Sequence, residues 1–167
     1  MPSGMISPER LRYTQIHPEM KTTQGFGDPD FYNGYLRKHL SEHHFEKENT
    51  PKFIESRVDD ALDTYTEAFA AGRPPYICQE MAMRTLLKGI YVSRYDIIYN
   101  ILEEDCWRRL SSETWEVMAI HFSHDSEINA ILDRHGINGD FLDRGDYQAM
   151  RLEILGTLTE RLDGYDL

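Results

Sequence analysis

Three observations predict an all-α fold. Apolar residues recur at three- and four-residue spacings through most of the chain, and helix start and stop signals punctuate those runs. No window shows the sustained alternation bounded by hairpin turns that a strand requires. Six or seven helices with short connections predict a single-domain bundle of mostly antiparallel neighbours over residues 28–167, behind an irregular N-terminal arm at residues 1–27.

The arm carries Pro2, Pro8, Pro18, Gly4, Gly25 and Gly27 and keeps no period. Its apolar residues, among them Met5, Ile6, Leu11 and Ile16, are expected to dock on the body or on a neighbouring subunit. Asp28-Pro29 then pairs an N-cap with a proline at the first helical position, where the missing N–H costs nothing. Phe31, Tyr32, Tyr35, Leu36 and Leu40 share one face of that helix, which ends near His43-His44. Thr50-Pro51 repeats the start signal. Phe53, Ile54, Val58, Ala61, Leu62, Tyr65, Ala68 and Phe69 follow, with Glu55, Asp59, Asp60, Asp63 and Glu67 opposite and Gly72 as the stop.

Pro74-Pro75 opens a third helix, carried by Ile77, Met81, Leu86 and Leu87 and stopped at Gly89. Ser93-Arg94-Tyr95-Asp96 resembles a capping box with Asp in place of Glu, and starts a fourth through Ile98, Ile101, Leu102, Cys106 and Leu110. A fifth follows Ser111-Ser112 with Trp115, Met118, Ala119 and Phe122. A sixth begins near Asp125 or Ser126, uses Ile128, Ile131 and Leu132, and stops at Gly136. The last runs from about Asp146 through Met150, Ile154, Leu155, Leu158 and Leu162 to Gly164.

Composition narrows the function classes. With 167 residues, 40% of them hydrophobic, the chain can bury a core without disulfides or a structural metal. A net charge of −11 repels nucleic-acid phosphates and anionic lipid headgroups, so neither direct nucleic-acid nor membrane binding is expected. The acid is concentrated in residues 28–72 and 111–167, while the middle is near neutral. Cys78 and Cys106 form no CxxC pair, and no apolar run is long enough to span a bilayer. A soluble, cytoplasmic protein is expected.

Several clusters invite a chemical reading. His121, His124 and Asp125 have the residue types of a metal site, with two imidazoles three residues apart on a helix and His135 able to approach from the next. The plainer reading makes Asp125 an N-cap, and the Glu of a metalloprotease helix is missing. Glu42-His43-His44 is explained by the negative end of a helix dipole. Residues 133–143 imitate a calcium loop but put His135 at the third ligand position and Arg144 at the twelfth, so a turn is expected. Cys78 reads as core, and Glu103-Glu104-Asp105 as a solvated face. No phosphate-binding glycine loop or nucleophile elbow occurs, and no cofactor is expected. The remaining constellation is Arg73, Tyr76, Arg84, Lys88, Tyr91, Arg94 and Tyr95. Arginine with tyrosine is the composition of binding hot spots, and these residues would line a common edge if the third and fourth helices are neighbours; the plainer reading is intramolecular pairing with the acidic helices.

From Phe53 onward the order of features resembles a known family. Phe53-Ile54-Glu55-Ser56-Arg57-Val58-Asp59 leads to Tyr65, then Gln79-Glu80-Met81-Ala82, Leu86-Leu87-Lys88-Gly89, Ser93-Arg94-Tyr95-Asp96 and Ile101-Leu102-Glu103-Glu104. This is similar to the bacterial family of small helical proteins catalogued as domain of unknown function 1896. The resemblance is strongest over residues 30–110, weaker from Ser111 to Asp143, and returns at Leu155-Gly156-Thr157-Leu158-Thr159-Glu160. It implies an all-α cytosolic protein of gut- or mouth-type bacteria, often encoded among genes of mobile elements, and it implies no activity or catalytic residues.

The functional expectation is a non-enzymatic interaction or accessory protein, bound to a protein partner or to itself as a homodimer. One alternative is an acidic mimic of nucleic acid that occupies a DNA-binding protein. Another is a metal-dependent enzyme built on His121, His124 and Asp125.

Overall fold

The computed structural model describes residues 25–137, 141 and 145–165, and among these the regular elements are seven α-helices with no strand. The arm expected at residues 1–27 lies outside the described residues except for Gly25–Gly27. So does most of the turn expected to complete residues 133–143. By their contacts the described helices group into two compact units, divided between Tyr91 and Val92. No linker longer than an ordinary interhelical turn announces that division in the sequence.

The first unit holds α1 (Pro29–Glu42), α2 (Pro51–Ala70) and α3 (Pro75–Leu86). Its starts are those predicted: the Asp28 carboxylate accepts from the Asp30 amide, and the Thr50 hydroxyl from the Phe53 amide. These bonds satisfy donors that the first helical turn leaves without a partner. The core joins Tyr32, Leu36 and Leu40 of α1 to Ile54, Val58 and Ala61 of α2 and to Ala82, Met83 and Leu86 of α3. Each fully buried Leu or Ile there contributes about 2 kcal/mol relative to exposure.

The third helix buries only part of the face predicted, Leu86 and the following Leu87, and turns other residues inward beside it. Cys78, Gln79, Ala82, Met83 and Leu86 are buried, whereas Ile77 and Met81 are half-buried. The reason is polar. The Tyr32 hydroxyl accepts from the Gly27 amide at 3.3 Å and donates to Gln79 Oε1 at 2.5 Å, which satisfies a buried amide that the apolar pattern sends to solvent. Burial pushes the Tyr32 phenol up to about 12. The end of α3 is closed from α2, where Arg57 Nη1 donates to the carbonyls of Thr85, Leu86 and Lys88. His39 is also buried, with Nε2 2.6 Å from the Ile90 carbonyl oxygen and its ring stacked on Phe45.

The second unit holds α4 (Arg94–Asp105), α5 (Ser112–Ser123), α6 (Ser126–His135) and α7 (Tyr147–Asp163). Both halves of the predicted capping box are present. The Ser93 hydroxyl accepts from the Asp96 amide, and the Asp96 carboxylate from the Ser93 amide. α6 ends at Gly136, whose φ of 61° is the left-handed cap that glycine adopts without strain.

Two sequence expectations are corrected in this unit. The helix expected to run through Cys106 and Leu110 ends at Asp105, with Cys106 as its cap and the buried Leu110 beyond it. Glu103-Glu104-Asp105 is only in part a solvated face: Asp105 is exposed and Glu104 half-buried, and both accept from the buried Arg151 of α7, at 2.5 and 2.8 Å respectively. Arg151 is 6% exposed, a position the apolar pattern of α7 does not announce.

Candidate functional site

The first unit presents its most conspicuous surface at the α2–α3 hairpin. The turn between the helices needs Gly72 at φ 81°, and the Arg73 amide closes it by donating to the Ala68 carbonyl at 3.1 Å. On either side stand Phe69 and Tyr76, 59% and 62% exposed. Two large aromatic rings thus stand more than half in water beside one turn. Tyr65 stacks on Phe69 with ring centroids 6.3 Å apart, which holds one of the two in place.

From that turn a series of residues follows at three- and four-residue intervals: Arg73 before α3, Tyr76, Glu80 and Arg84 on one face of it, and Lys88 in the turn beyond it. Arg73, Arg84 and Lys88 are exposed. Arg84 pairs with Glu80 one turn earlier, while Arg73 and Lys88 form no ion pair among the described residues. The Tyr91 hydroxyl donates to the Arg84 carbonyl at 3.2 Å, which fastens the far end. The outer row of α2 is the opposite in sign. Glu55, Asp59, Asp63 and Glu67 are all exposed and four residues apart, a carboxylate about every 6 Å along the helix.

Five of the seven expected partner residues thus belong to this series and its far end: Arg73, Tyr76, Arg84, Lys88 and Tyr91. Arg94 and Tyr95 belong to the second unit. Arg94 reaches α6, donating to Asn129 Oδ1 at 2.6 Å and pairing with Asp133. The Tyr95 ring lies 5.8 Å from that of Tyr99, and its phenol is pushed up to about 12 by burial, aided by Glu116.

The three residues of the expected metal cluster each have other partners. His121 Nε2 lies 3.1 Å from the Tyr165 hydroxyl, and His124 Nδ1 lies 3.0 Å from the Ile120 carbonyl oxygen. Asp125 caps α6 through the amides of Glu127 and Ile128 and pairs with Arg161 at 3.0 Å. Partial burial pushes the Asp125 carboxyl up, but the Ile128 amide, Arg161 and the Glu127 amide more than offset it and hold it below its ordinary value. His135 lies 2.9 Å from Glu153 and 3.4 Å from Asp146. Among the described residues no group of three His, Cys, Asp or Glu side chains is placed to hold a metal. Cys78 is fully buried and its thiol donates to the Arg73 carbonyl.

Sequence reasoning missed the surface between α6 and α7. Ion pairs cross it at both ends, Arg134 with Glu153 and Arg161 with Glu127, each at 2.7 Å. Hydrogen bonds from His135 and then Arg134 hold the Glu153 carboxyl below its ordinary range. The available signal was Gly156, a glycine in the middle of an otherwise strong helical pattern.

No helix among the described residues is long and apolar enough to cross a membrane. The family model for a domain of unknown function, DUF1896, matches residues 27–167. The chain is similar in structure to protein PG0816 from Porphyromonas gingivalis, with a TM-score of 0.74 and 26% sequence identity. The match covers 81% of this chain and 91% of that one. No curated protein matches the chain.

Proposed function

We propose that this chain, which belongs to the DUF1896 family, is a protein-interaction module that associates with a second copy of itself through the α2–α3 hairpin. The carrying observation is that one hairpin bears both halves of a complementary contact. The acidic row of α2 faces solvent, and the series along α3 and its flanking turns bears Arg73, Arg84 and Lys88 beside the exposed rings of Phe69 and Tyr76. A surface carrying both signs can meet its own copy across a two-fold axis, where each contact is made twice. The aromatic rings supply the central apolar anchor and the charges supply register.

Light scattering on the intact chain across a concentration series tests this. A concentration-dependent dimer is expected, weakened by 0.5 M NaCl because the charged rims are screened. Arg73→Glu and Tyr76→Ala should each return it to monomer. A chain that stays monomeric at high concentration, or a dimer indifferent to both substitutions, refutes the assignment.

A second reading is favoured by the α2 row alone. Carboxylates repeating about every 6 Å along a rigid rod imitate a charged backbone, so the row suits the groove of a DNA-binding protein. Replacing Asp59 and Asp63 with lysine should then abolish any competition with duplex DNA for such a protein. If only the first reading holds, the unsubstituted chain does not compete with duplex DNA at all, and the same double substitution weakens the dimer.

A further inference from the structure

Three half-buried aromatic rings meet where α4 packs against α5. Tyr95 and Tyr99 stand one turn apart on α4, with ring centroids 5.8 Å apart. The Trp115 ring of α5 stands at 89° to that of Tyr99, with centroids 6.4 Å apart. Two rings at a right angle make a corner lined by one aromatic face from each helix. A buried indole N–H ordinarily finds an acceptor. Trp115 Nε1 is out of water with no acceptor among the described residues, so a hydrogen bond is not what tryptophan brings here. What it does bring is the aromatic face that attracts a cation most strongly. Glu103, one turn beyond Tyr99, and Glu116, next to Trp115, add negative charge at the same place. Both bear on the Tyr99 phenol, which burial and then these two carboxylates raise above its ordinary value. Of the α4 acids, Glu104 and Asp105 answer Arg151, whereas Glu103, like Glu116 of α5, forms no ion pair among the described residues. Among those residues the arginines seated over aromatic rings lie on Phe53 and Trp107, not on Tyr99 or Trp115.

We infer that the corner of Tyr99 and Trp115, rimmed by Glu103 and Glu116 and backed by Tyr95, binds an organic cation with an alkylated ammonium head. Ring faces attract a cation without replacing the hydrogen bonds of its water, so a compact, strongly hydrated ion such as sodium or a lysine ammonium gains little there. Alkylation spreads the charge over carbon and weakens hydration, and the head can then lie against both faces. Glu103 and Glu116 supply the longer-range attraction. An anion would meet both carboxylates and the ring faces together and be excluded.

Trp107→Phe leaves Trp115 as the only tryptophan of the intact chain, so its fluorescence reports the corner. In that protein choline chloride should change the emission saturably. Sodium chloride at equal concentration, and the neutral isostere of choline with carbon in place of the quaternary nitrogen, should not. Calorimetry on Trp115→Leu and Tyr99→Leu should show choline binding weakened by about tenfold. The paired exchange of Glu103→Gln and Glu116→Gln removes charge without removing a packed ring, and should weaken binding by about threefold or more in a chain that keeps its fold. A peptide bearing trimethyllysine presents the same head group. Tighter binding than choline assigns the cation to a partner protein, and weaker binding assigns it to a free small molecule. Equal binding of choline and its isostere, an emission that choline leaves unmoved, or an unchanged affinity in the glutamine pair overturns the inference. Tyr99, Trp115 and both glutamates belong to the second unit, so failure of this site and failure of the α2–α3 dimer contact are read separately.

Discussion

Arg151 carries a larger share of the second unit's stability than its residue type suggests. Its guanidinium is out of water and answers two carboxylates of α4, Glu104 and Asp105. Removing one partner of a buried pair leaves the other desolvated without compensation. Arg151→Ala is therefore expected to cost about 3 kcal/mol, read as a lowered urea midpoint at unchanged slope. Asp125 gives a prediction with a sign in pH. Its folded carboxyl sits below the ordinary value of 3.8, so the stability it contributes is present above that pH and is lost as the pH falls through the lower folded value. Asp125→Asn keeps an oxygen to cap α6 but loses the charge toward Arg161. The stability gap between the two proteins should be full at neutral pH and close below pH 3.8; a gap constant across acid denaturation would contradict the assignment.

At the scale of elements, starts and stops were largely legible. Asp28-Pro29, Thr50-Pro51 and Ser93 through Asp96 carry local chemistry that decides a helix terminus without help from the rest of the fold. The buried face of α3 was not legible, because Gln79 goes inside only through the Tyr32 hydroxyl, a partner 47 residues away. Arg57 closing the end of α3 and Arg151 crossing to α4 are likewise long-range events that spacing does not encode. The same distinction holds at the candidate site. The shared face of Tyr76, Glu80 and Arg84 on α3 follows from helical spacing alone, whereas the pairing of Arg94 with Asp133 of α6 depends on how the helices pack. Gly156 allows an element-scale check. In α7 it meets nothing and its backbone is helical, so Gly156→Ala should stabilise the chain by about 0.5–1 kcal/mol, measured as a raised thermal midpoint. A loss of stability would mean that the glycine serves the helix itself.

Over the whole molecule 29 acidic residues stand against 18 basic ones, and the ion pairs among the described residues offset little of that imbalance. Most of those pairs are exposed on at least one side, as in Arg84 with Glu80 and Arg134 with Glu153, and such pairs contribute at most about 1 kcal/mol each. Self-repulsion among the remaining carboxylates acts over longer distances and is what salt screens first, with a Debye length falling from about 30 Å at 0.01 M to about 8 Å at 0.15 M. The chain is therefore expected to gain stability when NaCl is raised over that range, against the loss that a fold dominated by surface ion pairs would show. The outer row of α2 is a concentrated source of the repulsion, since Glu55, Asp59, Asp63 and Glu67 repeat along one helix without intervening basic groups on that row. Replacing Asp59 and Asp63 with asparagine should raise the thermal midpoint at low salt and flatten its salt dependence. Scanning calorimetry of the two proteins at both salt concentrations reads this directly. Equal slopes for the two would place the repulsion elsewhere on the surface and remove the α2 row from the account of the molecule's charge.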